Sequence, residues 1–372
     1  MKKISVVLIF LIFAFSLFTV NVYGGNIDEY NKEEYDASKI FNELTPEARE
    51  ALSSLGITDE SLESVFSVSF KKLFDVLFQM FKGSLKKPFS VCLLSIVTLA
   101  FSSFGENALR HGKILSGVGN ALAMLTAAVP LGELISTVFS LNESLCRLTV
   151  AFLGVFCAAV SAAGGSISAV SFEGAMLFFN SLVLNASSLF SKPLINGMCA
   201  AAFFSCINSF SFTSRLSEML KKAYITLLGF CGMIFTGFLS LKNVLAANAD
   251  TIASKSIKFV IGKSLPVVGG AVSDSYLTVL SGLSLVKNTL GVFGIISIAL
   301  TVLPTLFSLF SWSFALWAAR SAFETFSSGA GKNALSVFGD AVSLLTATVV
   351  FVASVFIIST GTLLLVTRGG SV

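Results

Sequence analysis

The chain has 372 residues, of which 54% are hydrophobic and 12% charged, with a mean hydropathy of +0.86 and a formal net charge of +4. That charge content is about half that of an average soluble domain, and a water-soluble fold of this size cannot hide so much apolar surface. Such a composition needs a bilayer as solvent. It excludes a soluble single-core enzyme, a nucleic-acid binder built on a basic face, and a disulfide scaffold.

Lys2 and Lys3 precede an uncharged apolar stretch from Ile4 to Val20, and Asn21 to Gly25 then supply small residues suited to signal peptidase. Residues 1–24 therefore read as a secretory signal peptide, with an uncleaved signal anchor as the alternative. Both hold the lysines inside and start the following segment outside the cytoplasm. Residues 25–87 form that extracytoplasmic segment. Its first part, 26–63, carries 11 acids against Lys32, Lys39 and Arg49 and is solvated. Capping residues predict short helices after Thr45-Pro46 and after Thr58.

From Phe66 the pattern becomes helical. Phe66, Phe70, Leu73, Phe74, Leu77 and Phe81 recur at three and four, with Lys71, Lys72, Asp75, Gln79 and Lys82 on the other side. This amphipathic helix lies either in the membrane interface or against neighbouring protein.

Eight spans are expected in the two membrane regions 88–247 and 290–372: 89–104, 114–134, 144–163, 171–190, 193–211, 223–241, 290–316 and 335–366. Most are near the ~20 residues that a bilayer core requires. Arg110, His111 and Lys113 follow the first, Arg215, Lys221 and Lys222 the fifth, and Arg320 and Lys332 the seventh. The positive-inside bias makes all three clusters cytoplasmic. Lys71, Lys72, Lys82, Lys86 and Lys87 oppose that bias, and a translocated amphipathic helix accommodates them at the outer headgroups.

Residues 248–289 are neither a clean span nor a short loop. They hold Asp250, Lys255, Lys258, Lys263, Asp274 and Lys287 around a break at Pro266-Val267-Val268-Gly269-Gly270, and Tyr276, Val279, Leu280, Leu283, Val286 and Leu290 form an apolar stripe. An amphipathic or re-entrant hairpin fits this pattern, as does a large extracytoplasmic loop on the headgroups. Because charges between helices too apolar for a solvated loop need partners or water, the Pro266 to Gly294 region is the expected functional centre.

Three carboxylates lie within or beside apolar spans. Glu133 and Asp340 are candidate proton or cation sites or else helix-end acids, and Glu173 is read as an acid in the first turn of its helix. Gly154, Ala158 and Ala162 recur every four residues and predict close helix packing, and Gly164-Gly165 breaks that helix. The six cysteines sit in or beside apolar runs without a Cys-x-x-Cys pair and read as small hydrophobes. His111, the single histidine, has no metal partners at ligand spacing. No phosphate-cradling loop, zincin helix or Gly-x-Ser-x-Gly elbow occurs, so no catalytic, cofactor-binding or metal residue is assigned and no cofactor is expected.

Asp250, Lys258-Phe259, Gly262, Pro266-Val267, Gly269 and Asp274, followed by Leu285, Lys287-Asn288-Thr289, Gly291 and Phe293-Gly294, resemble the signature region of the stage III sporulation protein AE family. Ser161, Gly164-Gly165 and Ser168-Ala169 resemble it too, as does the order of signal peptide, polar segment and apolar body. The resemblance marks Lys258, Pro266, Gly269, Asp274, Lys287, Asn288, Gly291 and Gly294 as candidate functional positions. It implies a multi-pass protein of the mother-cell membrane around the forespore in an endospore-forming bacterium. Its partners would be other stage III sporulation proteins and a forespore membrane protein in a secretion-like channel complex, together with the lipid bilayer, with self-association left open. The expectation is an all-α polytopic membrane bundle without enzymatic activity, permease-like and part of that complex. An autonomous secondary transporter using the intramembrane carboxylates is the alternative.

Overall fold

The computed structural model describes residues 38–58, 70–108, 112–207, 211–264, 269–326 and 330–368. The expected signal peptide, the helix after Thr58, and Arg110, His111 and Pro266 lie outside them. Among the described residues all regular structure is helical. Two short helices, α1 (Ser38–Asn42) and α2 (Pro46–Leu55), precede α3 (Phe70–Ala108), α4 (Gly112–Ala162), α5 (Ser166–Ala186), α6 (Lys192–Ile207), α7 (Ser211–Ser264), α8 (Gly269–Phe326) and α9 (Ala330–Arg368).

Among the described residues five stretches are long and apolar enough to cross a membrane: Leu125–Ala162, Ser166–Ala202, Phe212–Ile257, Thr278–Ala322 and Asn333–Leu365. The chain is thus an all-α polytopic membrane bundle, with helices longer than the expected spans. The stretches 114–134 and 144–163 fall on the single helix α4, whose 51 residues extend about 76 Å, more than twice a bilayer's hydrocarbon core. Pro130 inside it removes one backbone donor without ending the helix. Likewise the amphipathic helix and the first span are one element, α3, running through Pro88.

Side-chain pairs set the registers. Ser95 Oγ meets Thr126 Oγ1 at 3.1 Å, so α3 and α4 run antiparallel. Asn180 donates to the Cys146 carbonyl at 3.3 Å, which turns α5 back along α4. Phe179 and Phe235, with ring centroids 4.7 Å apart, align α5 against α7. Ser217 to Asp340, Tyr224 to Thr348 and Asn243 to Thr362 keep nearly constant spacing, so α7 and α9 are parallel. Arg320 with Ser336 and Gly291 with Leu364 make α8 and α9 antiparallel. The described residues make an up-and-down bundle of six legs, with α5 and α6 sharing one. The ends of α3, α6 and α8 and the starts of α4, α7 and α9 gather at one end of it, and with them Arg215, Lys222 and Arg320.

α2 begins where the Thr45-Pro46 pair predicts. Thr45 caps it, accepting from the Ala48 N–H at 3.4 Å, and Gly56 closes it at φ 82°. The hairpin of α1 and α2 buries Ile40, Leu52 and Ile57 completely, stacks Phe41 on Phe293 of α8 and pairs Glu43 with Arg147 of α4. On α3, Leu73, Leu77 and Phe81 pack on the protein body, with Phe81 edge-on to Phe307 at 5.5 Å, whereas Phe74 is exposed.

The Gly154 and Ala158 stripe faces outward, and a side chain at Gly154 would meet nothing within 4 Å, so the small residues bring no helix close within this chain. Glu173 lies two turns inside α5, because the helix starts at Ser166 instead of 171.

Candidate functional site

Among the buried polar residues, two groups built around a carboxylate stand out. The first is built around the turn between α4 and α5. Gly164 adopts φ +87°, a conformation that side chains with a Cβ disfavour by about 1–2 kcal/mol. Its Cα faces Ser254 of α7 and Leu280 of α8, within 3.6 Å of where a Cβ would stand. At Gly165 a Cβ would come within 3.0 Å of the Val160 carbonyl.

The helix that follows has no side-chain cap from its own chain segment. Asp250 on α7 supplies one instead: its two carboxylate oxygens accept from the Ile167 and Ser168 N–H groups, each at 2.9 Å. A buried carboxylate is tolerable here because two backbone donors and the positive end of α5 face it. Residues 161–169, 250 and 280, far apart in sequence, therefore form one junction. Past it, residues 255–264 of α7 and 269–279 of α8 extend beyond the α4–α5 turn by about 15 Å at the helical rise. The described residues of 248–289 are the last turns of one long helix, to Ser264, and the first turns of the next, from Gly269.

The second group is a polar layer across the bundle. Asp340, 6% exposed on α9, accepts from Ser217 Oγ at 2.9 Å and pairs with the Lys221 ammonium, both on α7. One turn along α7, Tyr224 OH contacts Thr348 Oγ1 at 3.0 Å and Ser191 Oγ at 2.5 Å. Ser191 ends a single π-helical turn, Ser187–Ser191, that joins α5 to α6. The same turn presents Ser187 to Asn142 of α4 at 3.5 Å, and the Asn142 side-chain oxygen is buried without a hydrogen-bond partner. A π turn leaves the backbone ladder locally loose and marks functional sites more often than regular helix does.

The structure separates the two candidate carboxylates. Glu133 is exposed on the flank of α4, 4.0 Å from an exposed Lys87, whereas Asp340 lies inside the layer. The other candidate positions lie along α7 and α8. Lys258 is on α7, and Gly269 and Asp274 open α8; the side chains of Lys258 and Asp274 are outside the described set. Lys287 is buried at 3% exposure, one turn before Gly291, and Asn288 is half-buried. Gly291 and Gly294 are close-approach positions: a Cβ would come within 2.7 Å of Leu364 and 2.1 Å of the Phe152 ring. The region is therefore partly a packing face of α8 and partly the projecting end of the α7–α8 pair.

Sequence reading missed the Asp250 cap and the Ser217–Lys221–Tyr224 stripe. Spacing of three and four on α7 marks 217, 221 and 224 as one face, but nothing in the sequence says that Asp340 lies opposite. Among the described residues no group of three or more His, Cys, Asp or Glu is arranged to hold a metal ion. One ion pair, several hydroxyls and an amide make up the layer, a set suited to binding and hydration.

No solved structure matches the chain. A relative from Bacillus subtilis (strain 168), stage III sporulation protein AE, is 25% identical over 297 residues, covering 78% of this chain and 73% of that protein. A family profile for stage III sporulation protein AE matches residues 49–367, taking in the capped junction, the polar layer and the close-approach glycines. The match spans most of the chain, which belongs to the stage III sporulation protein AE family.

Proposed function

We propose that this sporulation protein is a non-enzymatic, permease-like membrane component of a secretion-like channel complex between mother cell and forespore, working with other stage III sporulation proteins. The supporting observation is the polar layer from Asp340 to Asn142 inside a largely apolar bundle. A helix packed only for anchoring has no use for buried polar groups there, which cost free energy unless paired or hydrated. In this reading the end carrying Arg215, Lys222 and Arg320 faces the cytoplasm, the α7–α8 extension faces the intermembrane side, and Pro266 to Gly294 is the functional centre.

Complementation in Bacillus subtilis lacking its own stage III sporulation protein AE provides the test. Asp274→Ala, Lys287→Ala and Gly269→Leu should each insert into the membrane yet fail to restore sporulation. Full sporulation by all three at normal protein levels would reduce the region to a connector and remove this proposal.

The burial of Asp340 favours one second reading, an autonomous secondary transporter. Purified protein in liposomes distinguishes them: a channel component alone drives no ion-coupled uptake, while a transporter does and loses it in Asp340→Asn.

A further inference from the structure

A cavity of about 320 Å³ lies between α2, α3 and α8, lined by Glu47, Ser84, Lys87, Pro304, Ser308 and Trp312 among others. Its volume is at the lower end of the roughly 300–1,000 Å³ of small-molecule sites. Neither the junction nor the polar layer touches it.

Its lining is largely apolar, with a few polar groups set into it. Pro88 lies inside α3 and Pro304 inside α8, and both border the cavity. A helix-interior proline removes the N–H that would have bonded the carbonyl four residues earlier. For Pro88 that carbonyl belongs to Ser84, itself a lining residue. The Ser84 hydroxyl donates to the Met80 carbonyl at 3.0 Å, so toward the cavity it too offers an acceptor. Glu47, an exposed residue at the start of α2, adds a carboxylate that makes no ion pair among the described residues. Trp312, 3% exposed, contributes an indole ring to the lining. Acceptors, a carboxylate and an aromatic ring together suit an organic ammonium group.

Lys87, also on the lining, adds the opposite charge. Lys87 is exposed and only 4.0 Å from Glu133, at the outer limit of an ion pair, so its ammonium is free to turn toward an anion at the rim.

We propose that this cavity binds a phosphate–ammonium zwitterion of the phosphoethanolamine type, its ammonium between Glu47, the Ser84 carbonyl and Trp312 and its phosphate at Lys87. The same chemistry is carried by a membrane lipid headgroup and by the free compound.

The sequence has two tryptophans, and Trp317 is 63% exposed away from the cavity, so Trp317→Phe leaves Trp312 as sole reporter. The full chain in detergent is titrated with O-phosphoethanolamine and with dihexanoylphosphatidylethanolamine, following Trp312 emission. A saturable change is expected. Ethanolamine and glycerol phosphate, each lacking one charge, should bind at least tenfold more weakly, and Glu47→Gln should weaken binding at least tenfold.

Gly83, on the cavity wall, has open space where a Cβ would stand. Gly83→Leu should therefore abolish the response while leaving thermal stability equal or higher, since leucine favours a helix interior over glycine. Ser308→Leu fills the cavity from the opposite wall and should do the same. Saturation by both ligands supports headgroup recognition alone, and saturation by the lipid form only supports a membrane lipid as the ligand. Absence of a saturable change, an equal response to glycerol phosphate, or a response that survives both filling variants overturns the proposal.

Discussion

Asp250 and Gly294 show how single side chains, or their absence, set the bundle's joints. Removing the Asp250 carboxylate leaves the buried Ser168 N–H and the part-buried Ile167 N–H without their acceptors. A cap of this kind is worth about 0.5–2 kcal/mol and a buried unmet donor about 1–3 kcal/mol. Asp250→Ala is accordingly expected to lower the thermal midpoint of the detergent-solubilised protein clearly, and Asp250→Asn, which keeps one acceptor oxygen, to lower it less. Equal midpoints for Asp250→Ala and the parent would show that the cap carries no weight. The glycine pair makes a sharper comparison. At Gly294 the obstacle is Phe152, fully packed, stacked on Phe156 at 4.8 Å and edge-on to Phe356 at 5.4 Å. At Gly291 the obstacle is the tip of a half-buried leucine that can rotate. Overpacking costs about 1–3 kcal/mol, so Gly294→Ala should destabilise at the upper end and Gly291→Ala much less. Urea or heat titration of both variants decides it.

Among the elements, α7 and α9 run parallel and are clasped at Ser217, Lys221 and Asp340. A buried ion pair contributes little net stability, yet removing one partner strands a charge and costs about 3–5 kcal/mol. Lys221→Met or Asp340→Leu alone should therefore destabilise strongly, and the double variant should recover most of the loss. Additive losses in the double-mutant cycle would show that the two groups do not interact. If the layer serves only to pin α7 on α9, the apolar double variant should also sporulate normally. The proposed channel role expects the stability to return and the sporulation defect to stay. Long, largely exposed α7 carries Phe230, Met233, Phe238 and Leu241 on its outer side, as lipid or another subunit requires.

At the scale of the molecule, six alternating legs place Arg215 and Arg320 at one end and Ser254 near the other. In a background without native cysteines, Arg215→Cys and Arg320→Cys should label from the cytoplasm and Ser254→Cys should not; labelling of Arg215 and Arg320 from opposite faces would break the up-and-down arrangement. Composition alone determined the class, because no water-soluble packing hides a chain that is 54% hydrophobic. Local chemistry likewise determined the start of α2 at Thr45-Pro46, the break at Gly164-Gly165 and the grouping of Arg215, Lys222 and Arg320, since a cap, a positive φ and a charge are properties of a few adjacent residues. The merging of expected spans into α4 and α3 lay beyond such reading: Pro130 and Pro88 weaken a helix locally, and packing against neighbours holds it continuous. The partners of Asp250 and Asp340 stand 82 or more residues away, and only the side-by-side placement of helices brings them together. Tertiary structure alone decided which intramembrane carboxylate is buried and which is exposed, because both follow the same apolar pattern and differ only in what the fold puts opposite them.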